Sequence, residues 1–266
     1  MKKLTAAVLA AMLALSMTAC GGSKEAAPEA SADATAPATE YTLVADGVLT
    51  MATNAEFPPY EYREGDAIVG IDVEIAQNIA NKLGLELQIE DMAFDSVIPA
   101  VTTGKADIGV SGFTVTEERK HSVDFTDTYV QASQLIIIHK DDAETIKSAA
   151  DLTGKSIGVQ LGTTGDIYAG DIEGATVERY SKGFEAVQAL SQKKINAVMI
   201  DDQVAKALAS QSEDVVVIDE PFTVEDYAIV VNKENPALTA AVNEVIAEMK
   251  ANGELQAIID KYISAE

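Results

Sequence analysis

The sequence is poor in the residues that many catalytic and nucleic-acid-binding sites require. It has one cysteine, Cys20, and two histidines in 266 residues, and its 19 lysines and arginines face 43 acidic residues, giving a formal net charge of −24. So few basic side chains leave no basic patch to neutralise phosphates, which argues against a nucleic-acid partner. With no second cysteine to pair, the folded part must rely on its apolar core for stability.

Motifs for catalysis and for metal binding are also missing. There is no pair of histidines at metal-ligand spacing and no G-x-S-x-G sequence. The triplet Gly154-Lys155-Ser156 resembles the end of a phosphate-binding loop, but Ala149 stands where the first glycine is needed, and the triplet precedes a predicted strand. We therefore expect no metal and no cofactor.

The first forty residues predict an exported and tethered protein. A positively charged start precedes the apolar run LTAAVLAAMLALSM, which is too short to span a bilayer comfortably and is typical of a signal peptide over residues 1–19. The small residues before Cys20 resemble a bacterial lipobox, with Met17 where leucine is usual, and this resemblance implies a lipid anchor on Cys20. Residues 20–40 contain almost no large apolar side chain and predict a disordered tether of about 25 Å r.m.s. span. The predicted location is extracytoplasmic, at the membrane; a plain secretory signal with an unrelated cysteine is the alternative.

From residue 48 onward, short β-branched runs alternate with helical stretches. The runs VLTMATN, LELQIEDM and ADIGVSGF are predicted strands, and IDVEIAQNIANKLG and FDSVIPAVTTG between them are predicted helices. This order predicts parallel strands joined by crossover helices. A second set comprises SQLIIIHK, KSIGVQLG, ATVERYS, GFEAVQALSQKK, INAVMID and VVVIDEPF. The chain closes with the strand YAIVVNK and one long predicted helix, ALTAAVNEVIAEMKANGELQAIIDKYI.

The predicted fold class is α/β, with two Rossmann-like α/β lobes of about a hundred residues each. We expect lobe 1 to comprise residues 41–131 and 226–266, and lobe 2 to comprise residues 132–225, with hinge crossings near residues 129–133 and 223–227. In such folds a ligand binds where the carboxyl ends of strands face one another across a gap. The polar residues at strand ends are therefore the candidates for a central ligand cleft.

Three strand ends carry the groups that a zwitterion requires. Residues 111–114 follow ADIGV, and Arg119 comes on the next helical turn, where it could grip a carboxylate bidentately or could be one more solvated charge in EERK. Residues 160–165, QLGTTG, follow SIGV and open a helix whose N–H groups favour an anion. Asp201 follows INAVMI and could receive an ammonium, or could be an ordinary helix N-cap.

Two long stretches, ATNAEFPPYEYREGDAIVGIDVEIAQNIANKLG and MAFDSVIPAVTTGKADIGVSGFTVTEERKHSVDFTDTY, resemble the amino-acid-binding family of bacterial extracellular solute-binding proteins that serve ABC importers. The stretches KSIGVQLGTTG and INAVMID continue the resemblance, which runs from residue 41 to the C terminus almost without gaps. It implies the type II periplasmic binding protein fold, in which a free L-amino acid lies between two lobes that close around it. It also implies that the protein is a monomer and that its partners are a membrane permease and the ATPase of that permease.

The resemblance also implies a role for each residue that would hold the backbone of the ligand. Arg119 falls on the residue that binds the ligand carboxylate, Thr114 on a hydroxyl and N–H donor beside it, and Thr164, with Thr163 next to it, on the donor from lobe 2. The implied acceptors for the α-ammonium are two backbone carbonyls and one carboxylate, those of Ser111, Gly112 and Asp201.

The side chain of the ligand is expected between two aromatic rings. Phe57 and Phe94 match the pair that sandwiches it, and two ring faces suit a planar amide or a cation equally well. Asn54, Glu56 and Gln160 are expected to read its polar end. Ile200 stands where glutamine-binding relatives have a histidine, so arginine, lysine, histidine and glutamine all remain open.

Two alternative functions remain. Some relatives on this fold are periplasmic dehydratases that act on cyclic carboxylates, and such an enzyme needs a proton donor and acceptor in the cleft. The available candidates are Glu56, Glu61 and His121, and we expect the protein not to be an enzyme. The other alternative is a protein that presents its ligand to a receptor.

Overall fold

A computed structural model describes residues 41–263 of the chain. The predicted signal peptide, Cys20 and the tether lie outside the described residues. The β-strands within them are β1 (Val48–Thr53), β2 (Glu56–Phe57), β3 (Glu61–Glu64), β4 (Ala67–Val69), β5 (Glu86–Asp91), β6 (Ile108–Gly109), β7 (Asp124–Phe125), β8 (Val130–His139), β9 (Ser156–Gln160), β10 (Thr176–Tyr180), β11 (Ala197–Asp201), β12 (Val215–Tyr227) and β13 (Val230–Val231). The α-helices are α1 (Ile71–Leu83), α2 (Phe94–Thr102), α3 (Glu117–Lys120), α4 (Thr164–Gly170), α5 (Gly183–Ser191), α6 (Asp202–Ala209), α7 (Pro236–Asn252) and α8 (Glu254–Tyr262).

The strands form two five-stranded sheets, which confirms the predicted α/β class with two lobes. The first sheet has the order β5-β1-β6-β13-β7, and the second has the order β10-β9-β11-β8-β12. In the first, β1 runs parallel to both β5 and β6, because helices α1 and α2 carry the chain back between these strands. In the second, β9 runs parallel to β10 and β11, while β8 is antiparallel to β11 and β12.

Helix α1 illustrates how the sequence pattern forms the core of the first lobe. Ile71, Ile75 and Ile79 recur at every fourth position and are completely buried, so they make a continuous apolar stripe on one face. The helix ends where Gly84 takes a left-handed conformation with φ of 71°. Among residues 41–263, no helix combines the length and the apolar character needed to cross a membrane.

Three details of the predicted secondary structure are corrected. The single long C-terminal helix is two helices, because Gly253 between them has φ of 81°, a left-handed conformation that an α-helix does not continue through. The predicted strand ADIGVSGF is a strand only over Ile108–Gly109, and Gly112 beyond it takes a left-handed conformation with φ of 54° that a strand does not continue through. A three-stranded sheet of β2, β3 and β4 was not predicted, because its strands are too short to show a pattern.

Strands β8 and β12 contain both predicted crossings between the lobes. They pair antiparallel from Val130 opposite Tyr227 to Gln134 opposite Thr223, and the pairing resumes after an irregularity at Ile218. Both predicted crossings therefore belong to one ladder of hydrogen bonds. The lobe boundaries at residues 131/132 and 225/226 fall inside these continuous strands and stay a prediction.

Gly70, the residue before α1, provides a test of this packing. Its φ is 131°, and a Cβ placed there would lie 2.1 Å from the carbonyl oxygen of Tyr60. We expect Gly70→Ala to lower the free energy of unfolding by more than about 2 kcal/mol, because the strained backbone cannot move away from the carbonyl. The measurement is urea unfolding followed by circular dichroism.

The matched control for Gly70 is Gly104→Ala. Gly104 also has positive φ, 69°, but a Cβ there meets nothing within 4 Å. This variant should lose only about 1 kcal/mol. Equal losses in the two variants would contradict the proposed clash.

Candidate functional site

Most of the predicted ligand-binding residues meet around one small cavity between the lobes. Its volume is about 10 Å³, roughly that of one water molecule, so the lobes lie closed on one another here. The cavity is lined by eight of the predicted residues: Phe57, Phe94, Gly112, Thr114, Arg119, Thr163, Thr164 and Asp201. Of the others, Ser111, Asn54 and Gln160 are buried close by and hydrogen-bond to this group or to one another.

A larger cavity of about 310 Å³ adjoins the small one and shares Phe94, Arg119 and Thr163 with it. Its remaining walls come from α2, α3 and the start of α4, including Ile98 and Ile167. The gap between the lobes is therefore wide beside Arg119 and closed around Asp201.

The guanidinium of Arg119 is held in place from both lobes. Its Nη1 donates to the carbonyl oxygen of Thr114 at 2.8 Å, and its Nη2 donates to the carbonyl oxygen of Gly162 in lobe 2 at 3.1 Å. It also lies over the rings of Phe94 and Phe113, 5.5 Å and 5.3 Å from their centres. Burial lowers the pKa of Arg119, and the negative charges of Glu225 and Asp201 oppose that shift. This environment differs from that of an exposed helix charge.

The charged neighbours of Arg119 in EERK are solvent-exposed. Lys120 makes an ion pair of 2.8 Å with Glu117, and both side chains are largely exposed. Such pairs contribute little to stability.

Two of the three threonine hydroxyls that line the cavity already donate to other groups. Thr114 donates its hydroxyl proton to Glu225 at 3.1 Å. Thr163 donates to the carbonyl oxygen of Gln160 at 2.8 Å and accepts from the N–H of Asp166 at 3.3 Å, as the N-cap of α4. Because a hydroxyl has one proton, neither side chain donates to a second acceptor in this arrangement.

Asp201 is buried and is not used as a helix cap. It precedes α6, but its side chain makes no capping hydrogen bond, and the phenol of Tyr227 donates to its Oδ2 instead. Burial, with a further contribution from the negative charge of Glu225, raises the pKa of Asp201 to about 7. The carboxyl group can therefore gain or lose a proton near neutral pH.

Two further buried acids hold the loop that carries Ser111 and Gly112. The hydroxyl of Ser111 donates to Glu61 at 2.6 Å, and the N–H of Gly112 donates to Asp72 at 2.8 Å. Burial raises the pKa of both acids, that of Asp72 to about 6, and the neighbouring Asp72 raises that of Glu61 further. Gly112 itself has φ of 54°, and a Cβ there would press on the rings of Phe57 and Tyr227 at 3.2 Å.

Additional contacts cross from one lobe to the other near the cavity. The Nε2 of Gln160 donates to the Oδ1 of Asn54 at 2.9 Å, and the Nδ2 of Asn54 donates to the carbonyl oxygen of Met92 at 2.8 Å. Lys182 makes an ion pair of 2.6 Å with Glu56. Asn54 and Gln160, the residues expected to read the ligand, thus bridge the closed lobes.

The candidates for acid–base catalysis do not line the small cavity. Glu56 is paired with Lys182, Glu61 is bonded to Ser111, and His121 is exposed, with its Nδ1 2.7 Å from the carbonyl oxygen of Glu117. Within residues 41–263, no cluster of three or more histidine, cysteine, aspartate or glutamate side chains has a geometry suited to a metal ion.

Sequence reasoning missed Glu225 and Gln134, which lie next to the site on β12 and β8. Glu225 is 3% exposed, and its Oε2 accepts from Thr114 and, at 2.9 Å, from the Nε2 of Gln134. Gln134 lies opposite Asp201 in the pairing of β8 with β11. Glu225 falls in one predicted crossing, and Gln134 lies beside the other. A charged or amide side chain at a predicted crossing is the sequence feature that could have identified them.

Two α/β lobes joined by a strand pair, with buried charged groups converging between them, define a two-lobed ligand-binding protein. The family model for the bacterial extracellular solute-binding proteins, family 3, matches residues 49–265. The chain therefore belongs to this family, as its sequence resemblance implied, and the type II periplasmic binding protein fold is confirmed.

Individual relatives agree with this assignment. The chain is 33% identical over 271 residues to the arginine-binding extracellular protein ArtP of Bacillus subtilis, covering 100% of both chains. It is 30% identical to the L-cystine-binding protein TcyJ of Escherichia coli, covering 83% of this chain and 84% of that one. A crystal structure of a mutant of the protein ArgBP from T. maritima has a TM-score of 0.79 and 40% identity, over 82% of this chain and 96% of the other.

The raised pKa of Asp201 predicts how stability depends on pH. The folded protein binds a proton at Asp201 up to about pH 7, whereas the unfolded chain, with the ordinary value of 3.8, has already released it. The free energy of unfolding should therefore fall as the pH rises from about 4 to about 7. The pKa values of Asp72 and Glu61 are also raised, so these acids contribute to the same trend. The test for Asp201 is therefore Asp201→Asn, in which the free energy of unfolding should change less steeply with pH.

The measurement is urea unfolding of the ligand-free protein at several values between about pH 5 and about pH 8. Asp171→Asn, which changes an exposed aspartate of lobe 2, should keep the wild-type slope. A wild-type slope in Asp201→Asn would show that Asp201 does not titrate in this range.

Proposed function

We propose that the protein captures a free α-amino acid with a polar or basic side chain in the cleft between its lobes and delivers it to the permease of an ABC importer. The observation that carries this proposal is the meeting of Arg119, Thr164 and Asp201 from both lobes around one cavity. A zwitterion offers one negative and one positive group, and the cavity presents a half-buried cation, Arg119, and a buried acid, Asp201, on opposite lobes.

Each end of the ligand has a proposed partner. Arg119 binds the α-carboxylate with its guanidinium, exchanging its bonds to the carbonyl oxygens of Thr114 and Gly162 for a bidentate pair. The N–H of Thr164, at the start of α4, adds a donor from lobe 2. Asp201 and the carbonyls of Ser111 and Gly112 accept from the α-ammonium.

Ligand binding is coupled to closure of the lobes in this proposal. The two lobes touch through the bond from Gln160 to Asn54, the ion pair from Lys182 to Glu56, and the bond from Arg119 to Gly162. A ligand that contacts both lobes binds the closed form better than the open form, and this difference in affinity shifts the equilibrium. The ladder of β8 and β12 acts as the hinge.

A polar or basic side chain fits the walls that remain. Phe57 and Phe94 offer ring faces, and Asn54 and Gln160 offer amides that can exchange their mutual hydrogen bond for one to the ligand. Relatives named for binding arginine, histidine and cystine support this class of ligand. The proposal excludes catalysis, and the pairing of Glu56, Glu61 and His121 away from the small cavity supports that exclusion.

The direct test is a thermal-shift screen of the purified protein against the twenty amino acids, ornithine, citrulline and cystine. A ligand that binds only the folded state raises the unfolding temperature by mass action. We expect the shifts to be confined to polar or basic amino acids. No shift with any of them, together with turnover of prephenate or arogenate, would replace transport by enzymatic dehydration.

Arg119→Ala tests the proposed carboxylate partner. It should weaken the binding of every amino acid ligand by about a hundredfold or more, because a buried carboxylate loses a charged, bidentate donor. Isothermal titration calorimetry provides the measurement. Lys120→Ala, which removes the adjacent exposed charge, should bind like the wild type, and wild-type affinity in Arg119→Ala would refute the assignment.

We also propose that a lipid on Cys20 anchors the protein on the outer side of the membrane, in keeping with an extracytoplasmic family. Its support is the sequence before Cys20. Cells fed a labelled fatty acid should label the wild-type protein and leave Cys20→Ala unlabelled, and equal labelling of both would rule the anchor out.

A further inference from the structure

The charges around the ligand cavity are not balanced. Arg119 is the cation among the residues that line it. The negative charges of the buried Glu225 and Asp201 raise the pKa of Arg119 against the effect of burial. A neutral zwitterion uses Arg119 for its carboxylate and Asp201 for its ammonium. One negative charge, that of the buried Glu225, then remains without a partner cation beside the cavity.

Glu225 is held where this charge reaches the ligand. Its Oε2 accepts from Thr114, which lines the cavity, and from Gln134, whose Nε2 is also 3.4 Å from the hydroxyl of Thr164 on the opposite wall. Its Oε1 is buried and has no hydrogen-bond partner among the described residues. Glu225 therefore contacts Thr114 directly and is connected to Thr164 through Gln134.

The groups that face Glu225 do not neutralise it. Thr114, Gln134 and the partly buried phenol of Tyr168 are neutral, and Asp201 carries the same sign. The charge of Arg119 interacts with this carboxylate, and in the proposed complex Arg119 is taken up by the carboxylate of the ligand. The second buried acid pair, Glu61 with Asp72, faces Ser111 and Gly112, and burial raises the pKa of both acids, which favours their neutral forms.

We propose that the negative charge of Glu225 makes the site selective for amino acids of net positive charge. A neutral zwitterion leaves the charge of Glu225 without a partner cation in the closed cleft. The inference rests on the proposed amino-acid-binding function and concerns a residue that does not itself need to touch the ligand. Glu225 acts through its charge, and a cationic side chain supplies the charge that is missing.

The size of the effect follows from the electrostatics of a partly desolvated site. Two unit charges about 10 Å apart, in a medium with an effective dielectric constant of about 20, change a binding constant by about tenfold. Arginine and citrulline provide a close comparison, because they have nearly the same shape but differ by one charge, with a carbonyl acceptor in citrulline where arginine has an N–H donor group. That difference in hydrogen bonding is the same for every variant, so the change in the ratio of affinities between variants reports the charge of Glu225.

The experiment measures the affinities of arginine and of citrulline for four proteins by calorimetry at about pH 8, where Asp201 with its pKa of about 7 is mostly ionised. The wild type should favour arginine by about tenfold or more, and Glu225→Gln should lower that ratio by about tenfold. Glu225→Asp keeps the charge and should keep the ratio, even if both affinities fall. Glu220→Gln, which removes an exposed charge from the same strand, should match the wild type.

Each outcome separates this inference from the proposed function. If no α-amino acid binds the wild type, the proposed function fails. If arginine binds and Glu225→Gln keeps the wild-type ratio, or if the wild type binds citrulline or glutamine as well as arginine, only the role of Glu225 is overturned. Should Glu225→Gln fail to unfold cooperatively, the wild-type ratio decides alone, and a ratio near one contradicts the inference.

Discussion

The antiparallel pairing of β8 with β12 is the constraint on which the rest of the structure depends. The two strands pair from Val130 opposite Tyr227 to Gln134 opposite Thr223, and both predicted crossings lie in this ladder. Asp201, Gln134 and Thr223 lie side by side across three neighbouring strands of the second sheet. This row continues the ladder that we propose as the hinge, and in that proposal a change in the angle between the lobes moves Asp201 relative to Arg119.

Burial of acidic side chains is the second organising feature. Glu61, Asp72, Asp201 and Glu225 are all at most 6% exposed, in a protein whose surface already carries a large excess of negative charge. Isolated buried carboxylates are costly, and here backbone N–H groups, hydroxyls, phenols or an amide offset part of that cost. Because their negative charge is only partly compensated, these acids favour a cation in the cleft, which agrees with the ligand class proposed for it.

Sequence periodicity identified the large elements and the strand ends that approach the cleft. It failed where local pattern and tertiary contact disagree. The two C-terminal helices look like one because α7 and α8 have compatible apolar spacing, and a single glycine conformation separates them. The sheet of β2, β3 and β4 escaped because two- to four-residue strands have no period to detect. The resemblance to a known family pointed to the residues whose backbone and side-chain groups line the cavity, and it was silent on Glu225 and Gln134, which act from behind it.

The sequence alone determined the α/β class, the two lobes and the separation of Arg119 from its solvated neighbours, because hydrophobic period and strand-end position are local properties of the chain. Tertiary structure decided the partners of each polar group. It commits the hydroxyl of Thr114 to Glu225, joins Gln160 to Asn54 and frees Asp201 from capping its helix. These partners lie 40 or more residues apart in most cases, and burial and charge at such distances depend on which surfaces meet, which no local pattern encodes.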